Sequence, residues 1–215
     1  MALSEDWTAD RLSEGLSAAI IVAHPDDEII WCGGLILKYP GWDWTILSLC
    51  RQRDPDRSKK FRSICDLLSI EGHICDVDDS NPPRPINPPR DIGWCIRSSL
   101  GLTQWDLCVT HGANGEYGHQ RHREAHTEVL RLVGNGRLEC EELWTFAYDC
   151  DLDSGHCLAI PDADVRVDLT DQQLAEKRRL VREIYGYGSD SFEVRACVSP
   201  EGFHRHLTGK RGARG

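Results

Sequence analysis

The chain alternates short runs of apolar residues with longer stretches in which apolar positions recur every three to four residues. Strand-like runs occupy Ser17–Ala23, Trp44–Leu49, His73–Val77, Asp106–Thr110 and Leu143–Tyr148. Amphipathic, helix-like stretches lie between them at Asp27–Lys38, Arg57–Glu71, Ile92–Leu100 and His122–Val133. A last helix over Asp171–Tyr185 follows the cap residue Thr170 and carries Leu174, Leu180, Val181 and Ile184 on its apolar side. Strands alternating with helices build βαβ units. The pattern therefore predicts an α/β fold with a mostly parallel sheet and helices on both faces. The Pro-rich stretch Asn81–Pro89 reads as a rigid loop, because the same alternation continues after it. One domain over residues 1–215 is expected, with its core in about 17–185, while residues 186–215 show no clear period.

Composition narrows the class. With 40% hydrophobic and 28% charged residues, the make-up is that of an ordinary globular protein. No apolar stretch is long enough to span a membrane. The acidic, polar start MALSEDWTADRLSEG lacks the layout of a signal peptide, so a cytoplasmic protein is expected. A formal charge of −10 argues against nonspecific nucleic-acid binding, which needs a basic face. The ten cysteines include no CxxC pair, and Cys32, Cys65 and Cys108 sit among apolar neighbours. They read as buried thiols, and spacing pairs none of them.

In open parallel sheets, ligands bind beyond the carboxyl ends of the strands. The early strands end in His24-Pro25-Asp26-Asp27, Arg51-Gln52-Arg53-Asp54, Asp78-Asp79 and His111. Across the Pro25 turn, His24 and Asp27 could converge on one ion. Asp26 would then be free to take a proton from a water that the ion activates. Acids at a helix start also suit the helix dipole, but a histidine beside them favours the metal reading. The fourth strand leads into THGANGEYGHQRHREAHTEVLRLV, in which His119, His122 and His126 recur at intervals of three and four, as on one helical face. His24, Asp27 and His122 together make a His₂-carboxylate set with open positions, suited to a catalytic zinc. The same donors admit Fe²⁺ or another divalent ion. Carbonyl hydrolysis also needs a donor to the developing oxyanion, for which Tyr117 and His119 are nearest in sequence.

AHPDDE followed by YGHQRHREAH resembles the GlcNAc-phosphatidylinositol de-N-acetylase-like family, also called PIG-L or LmbE-like. In strand–helix order the resemblance extends over most of residues 17–185. It implies a Rossmann-like α/β sandwich and metal-dependent N-deacetylation of N-acetylated sugars and glycoconjugates. By position it implies zinc ligands at His24, Asp27 and His122 and a general base at Asp26. It also implies a second acid or electrostatic group at His119, an oxyanion-contacting tyrosine at Tyr117, and a supporting role for Glu28. Many members carry a Gly-Glu pair and then an arginine after the second strand. Here the text is CRQRDPDRSKKFR, which leaves the substrate-recognising arginine open among Arg51, Arg53 and Arg57. Asp78 or Asp79 could hold sugar hydroxyls. The expected partner is a small N-acetylated sugar or glycoconjugate. A metal-containing sugar-binding protein without turnover is the alternative. A nucleotide-binding module fits poorly, since no G-x-G-x-x-G or P-loop follows any strand.

Overall fold

The computed structural model describes residues 15–80, 84–152 and 155–208. The polar start, part of the Pro-rich stretch and the end of the chain lie outside these residues. β1 (Ser17–Val22), β2 (Asp43–Cys50), β3 (Glu71–Val77), β4 (Gln104–Thr110) and β5 (Glu139–Phe146) pair in parallel. β9 (Glu201–Leu207) adds antiparallel to β5, and β8 (Val165–Val167) antiparallel to β9. The sheet order is β3-β2-β1-β4-β5-β9-β8. A separate hairpin joins β6 (Tyr148–Asp151) to β7 (His156–Ala159), with Cys150 and Cys157 in a disulfide across it. The other eight cysteines are free and buried, as their apolar surroundings suggested.

β1 shows why the sheet needs cover on both sides. Ala18, Ile20 and Val22 face one core while Ala19 and Ile21 face the other, and all five are fully buried. The first face is covered by α1 (Asp27–Lys38), α2 (Pro55–Leu68) and α6 (Asp171–Glu183), through residues such as Trp31, Leu35, Phe61 and Leu180. The second is covered by α3 (Pro88–Leu100) and α5 (Gln120–Gly134), through Ile92, Ile96, Val129 and Leu132. This is the expected two-faced, mostly parallel α/β sandwich. Among the described residues, no helix is long and apolar enough to cross a membrane.

Several boundaries differ from the pattern reading, each for a local reason. α2 starts at Pro55 rather than Arg57 because the Asp54 side chain accepts from the Asp56 and Arg57 N–H groups. It ends at Leu68 because Ser69 turns left-handed, so Glu71 belongs to β3. Asn87 caps α3, which therefore starts at Pro88, four residues ahead of Ile92, and Tyr148 leaves β5 for the hairpin. β5 begins at Glu139, where acidic residues mask the strand. Glu142 is buried there because Arg205 of β9 pairs with it.

β9 also lies in the region without a readable period, and a buried ion pair anchors it. Glu201 accepts from Lys177 Nζ on α6 (2.6 Å) and from the Gly34 and Leu35 N–H groups of α1 (2.7 and 2.8 Å). A Cβ on Gly34 would come within 2.4 Å of Leu169, so glycine permits this close approach. Lys177→Met would leave the Glu201 carboxylate buried without its counter-charge. It should lower the unfolding free energy by about 3–5 kcal/mol, read by urea denaturation.

Candidate active site

Strand order reverses between β1 and β4, and the crevice at such a switch point is where these folds bind ligands. The two motifs leave the sheet here, AHPDDE from the tip of β1 and HGANGEYGH from the tip of β4, the latter through the short α4 (Gly115–Gly118). In the first turn Asp26 adopts φ 117°, a region that residues other than glycine rarely enter. Its N–H donates to Glu28 Oε2 (3.0 Å), while its carbonyl accepts from Ile29 and Ile30 to open α1. Tyr185 Oη donates to the other oxygen of the fully buried Glu28. The Asp26 carboxylate is thereby turned into the cavity, where it accepts from Arg57 Nη1 (2.7 Å) and from Tyr187 Oη. Burial, reinforced by the neighbouring Asp27, lifts Asp26 to about 6 even though Arg57 and Tyr187 favour its ionised form.

Asp27 points the other way. Its Oδ1 accepts from Trp31 Nε1 (2.9 Å) and its Oδ2 from the His24 N–H (2.8 Å). Oδ2 also stands 3.1 Å from His24 Nδ1 and 3.3 Å from His122 Nε2, and those two nitrogens are 3.2 Å apart. Three donors of one tetrahedral zinc, with bonds of about 2.0–2.1 Å, would be separated by roughly 3.3 Å.

Proton positions around this triangle follow from Glu116. Its Oε2 accepts from His111 Nδ1 (2.8 Å) and His122 Nδ1 (2.5 Å), and its Oε1 from the Gly112 N–H (2.7 Å). An ionised carboxylate only accepts, so both rings carry a proton on Nδ1. His111 Nε2 is left bare and accepts from the Ala23 N–H (2.8 Å). With both nitrogens engaged, His111 has no lone pair left for an ion, although it lies beside Asp27 and His122. His122 Nε2 faces an Asp27 oxygen, and two acceptors at that distance require a positive charge between them. Without a metal ion that charge is a proton. Burial works against it, yet Asp27 and Glu116 hold His122 up at about 10. The donor set thus fits a cation.

His24 Nε2 lies 3.2 Å from Asp79 Oδ1, and Asp79 also pairs with Arg51 (2.6 Å). His119 is the N-cap of α5 with extended backbone, so of the three spaced histidines only His122 and His126 lie within the helix. Its ring is 4.7 Å from that of His24 and 4.6 Å from that of His122, and its buried Nδ1 has no partner. Burial and the two adjacent histidines push His119 down to about 4, leaving it neutral at pH 7. His126 Nδ1 instead faces the His111 carbonyl (2.8 Å). Tyr117 lies against Trp31, His122 and Phe192 on the cavity wall.

Of the three candidate arginines, Arg51 and Arg57 line the cavity. Arg53 does not: its side chain is 89% exposed and pairs with Asp76. Asp78 is likewise turned aside, accepting from the Ser80 N–H and hydroxyl, and Asp79 takes the place by the site. Glu116, Tyr185 and Tyr187 were not singled out from sequence. Glu116 does stand between Gly115 and Gly118, just before the histidine cluster, which is a usable sign. The tyrosines come from the stretch without a period.

Three consecutive acids therefore meet three environments, and Glu28 is pushed to about 8, chiefly by burial. Its ordinary value is 4.5, so between there and about 8 the unfolded chain releases a proton that the fold retains. The stability Glu28 contributes is full below the lower value and is lost as pH rises through the higher one. Glu28→Gln, which mimics the protonated form, should gain stability relative to the natural chain as pH goes from 5 to 8. Urea unfolding across that range reads the difference, and parallel pH curves would contradict it.

No family model matches the chain. It is 28% identical, over 176 aligned positions, to the 1D-myo-inositol 2-acetamido-2-deoxy-alpha-D-glucopyranoside deacetylase of Corynebacterium diphtheriae, covering 66% of this chain and 60% of that protein. It is 26% identical over 157 positions to an uncharacterized protein of Acanthamoeba polyphaga mimivirus, covering 66% of this chain and 64% of that one. The chain thus spans less than two thirds of the length of these curated relatives. Its fold is that of the N,N'-diacetylchitobiose deacetylase from Pyrococcus horikoshii, with a TM-score of 0.66 at 14% identity, covering 94% of this chain and 88% of the other. It is also that of a pseudoaglycone deacetylase for an antimicrobial reagent, with a TM-score of 0.58 at 14% identity, covering 83% and 88%. In its motifs, in its fold and in its curated deacetylase relative, the chain resembles the PIG-L/LmbE-like type.

Proposed function

We propose that the chain is a metal-dependent N-deacetylase, with zinc as the metal, that hydrolyses the acetamide of an N-acetylated amino sugar or glycoconjugate to free amine and acetate. One observation carries the reading. The donors of His24, Asp27 and His122 face one another across about 3 Å, and Asp26 is directed into the adjoining cavity. The substrate class follows the activities of the similar proteins, which are deacetylases of acetylated sugars.

His24 Nδ1, Asp27 Oδ2 and His122 Nε2 would hold the ion. Bound there, it supplies a Lewis acid for the acetyl carbonyl and acidifies a water. Asp26 takes the proton of the attacking water and returns it to the leaving nitrogen. A carboxylate near 6 suits both tasks, being mostly ionised at neutral pH yet basic enough to carry a proton. Arg57 and Tyr187 hold Asp26 Oδ2, which leaves Oδ1 for the water. The Tyr117 hydroxyl and the neutral His119 ring donate to the oxyanion, a contribution that is typically about 3 kcal/mol for one donor. Trp31 and Phe192 offer apolar walls for a sugar ring, and Arg51 and Asp79 offer partners for its hydroxyls.

Amine release from a panel of N-acetylated sugars should be lost with chelator and restored by zinc. Chelator-sensitive metal binding with no release from any sugar would favour the binding protein without turnover. Asp26→Asn should retain metal and lose about 10²–10⁴-fold in kcat. The kcat/KM profile should rise with pH through about 6 as Asp26 ionises. Arg57→Gln should move that limb to higher pH, because the cation it removes favours the carboxylate; a limb that stays in place would detach it from Asp26.

A further inference from the structure

We infer that Glu116 is the positioning residue for both imidazoles of the proposed metal site, and that metal affinity depends on its being a carboxylate. The inference rests on the metal-site reading above. Glu116 is fully buried and gathers three N–H groups from three places: the tip of β4, the loop after it and the first turn of α5. Through His122 Nδ1 it fixes one ligand ring directly and leaves Nε2 facing His24 and Asp27. It reaches His24 through one intermediary. Holding the proton of His111 on Nδ1 makes His111 Nε2 an acceptor for the Ala23 N–H, and Ala23 is the residue before His24. One carboxylate therefore sets the ring that β4 and α5 supply and the backbone from which β1 presents its own.

The backbone at this point supports a specific demand. Glu116 adopts φ 57°, ψ −64°, unfavourable for a residue with a Cβ and of a kind that persists only where the surroundings impose it. Asn114 imposes it, its Oδ1 accepting from the Glu116 N–H (3.1 Å) and its Nδ2 donating to the Tyr148 carbonyl (2.7 Å). Charge is required as well as shape. Both oxygens of Glu116 face N–H donors, and Oε2 faces two. A glutamine in the same place offers one oxygen and one NH₂, so whichever way it flips, a donor meets a donor. Carboxylates behind metal-bound imidazoles fix the tautomer and strengthen the ring as a ligand, and losing one typically weakens metal binding about 10–100-fold.

The test is zinc affinity, by competition with a chromophoric chelator, for the natural chain and for Glu116→Gln, with circular dichroism to confirm folding. A folded Glu116→Gln that binds zinc about 10–100-fold more weakly supports the inference. One that binds as tightly as the natural chain overturns it, whatever its melting temperature. If Glu116→Gln does not fold, long-range ¹H–¹⁵N spectra of the zinc-loaded natural chain decide. A proton on His122 Nδ1 with zinc on Nε2 supports the assignment, and the reverse overturns it. A natural chain that binds no zinc removes both this inference and the metal site. Zinc binding that depends on Glu116 without any amine release leaves this inference standing and removes the deacetylase reading.

Discussion

Everything at the rim of this sheet depends on mutual compensation among buried ionisable side chains. His24, Asp27, His111, Glu116 and His122 meet where β1 and β4 end, and the last four are almost wholly shielded from water. A buried charge without a partner costs several kcal/mol, so none of these groups is tolerable alone. Each is acceptable because another supplies the opposite charge or the missing proton. Asp27 lies well below the usual carboxylate range despite its burial, because His122 and His24 face it. Glu116 is brought to about 2 against the same burial by His111 and His122. What is left over is a single spot between His24, Asp27 and His122 where positive charge is favoured. The donors that meet at that spot fit a cation.

The same logic separates three neighbours in sequence that share one chemistry. Asp27 is held ionised by histidines, Asp26 sits near neutrality between burial and Arg57, and Glu28 is protonated at pH 7 beside Tyr185. Backbone geometry produces the divergence. The positive φ of Asp26 sends successive side chains to the cavity, the His24–His122 pair and the core, and Glu28 accepts the very N–H that this strained residue presents. The catalytic reading of the turn therefore rests on a backbone that the third acid keeps in place.

Much of this was legible in the chain itself, and the exceptions have physical causes. β1, β2 and β4 are buried on both faces, so they appear as continuous apolar runs, and the helices between them carry their period openly. His24, Asp27 and His122 announce themselves by chemistry and spacing. Some unread parts are those in which burial is achieved by pairing across long separations. Glu142 with Arg205 and Lys177 with Glu201 look like surface residues until their partners are found 63 and 24 positions away. Glu116 looks like a loop acid for a different reason: its partners lie only four to six positions away, in a glycine-rich turn that has no period to show which side chains face inward. Arg53 and Asp78 mark another limit, since in a loop one step along the chain can turn a side chain from the cavity to solvent.

Tyr185 and Tyr187 reach back over 157 and 161 positions to Glu28 and Asp26, one behind the strained turn and the other in front of it. Together they grip the turn from both sides, and they do so from a short connection between α6 and α7 (Phe192–Arg195). The spacing of two hydroxyls along that connection is thus matched to the spacing of two carboxyls near the start of the chain. Length changes in most surface connections are absorbed by the loop. Here a single inserted or deleted residue between the tyrosines would put the two ends of the chain out of step, and the connection is held to a fixed length by a turn it does not adjoin.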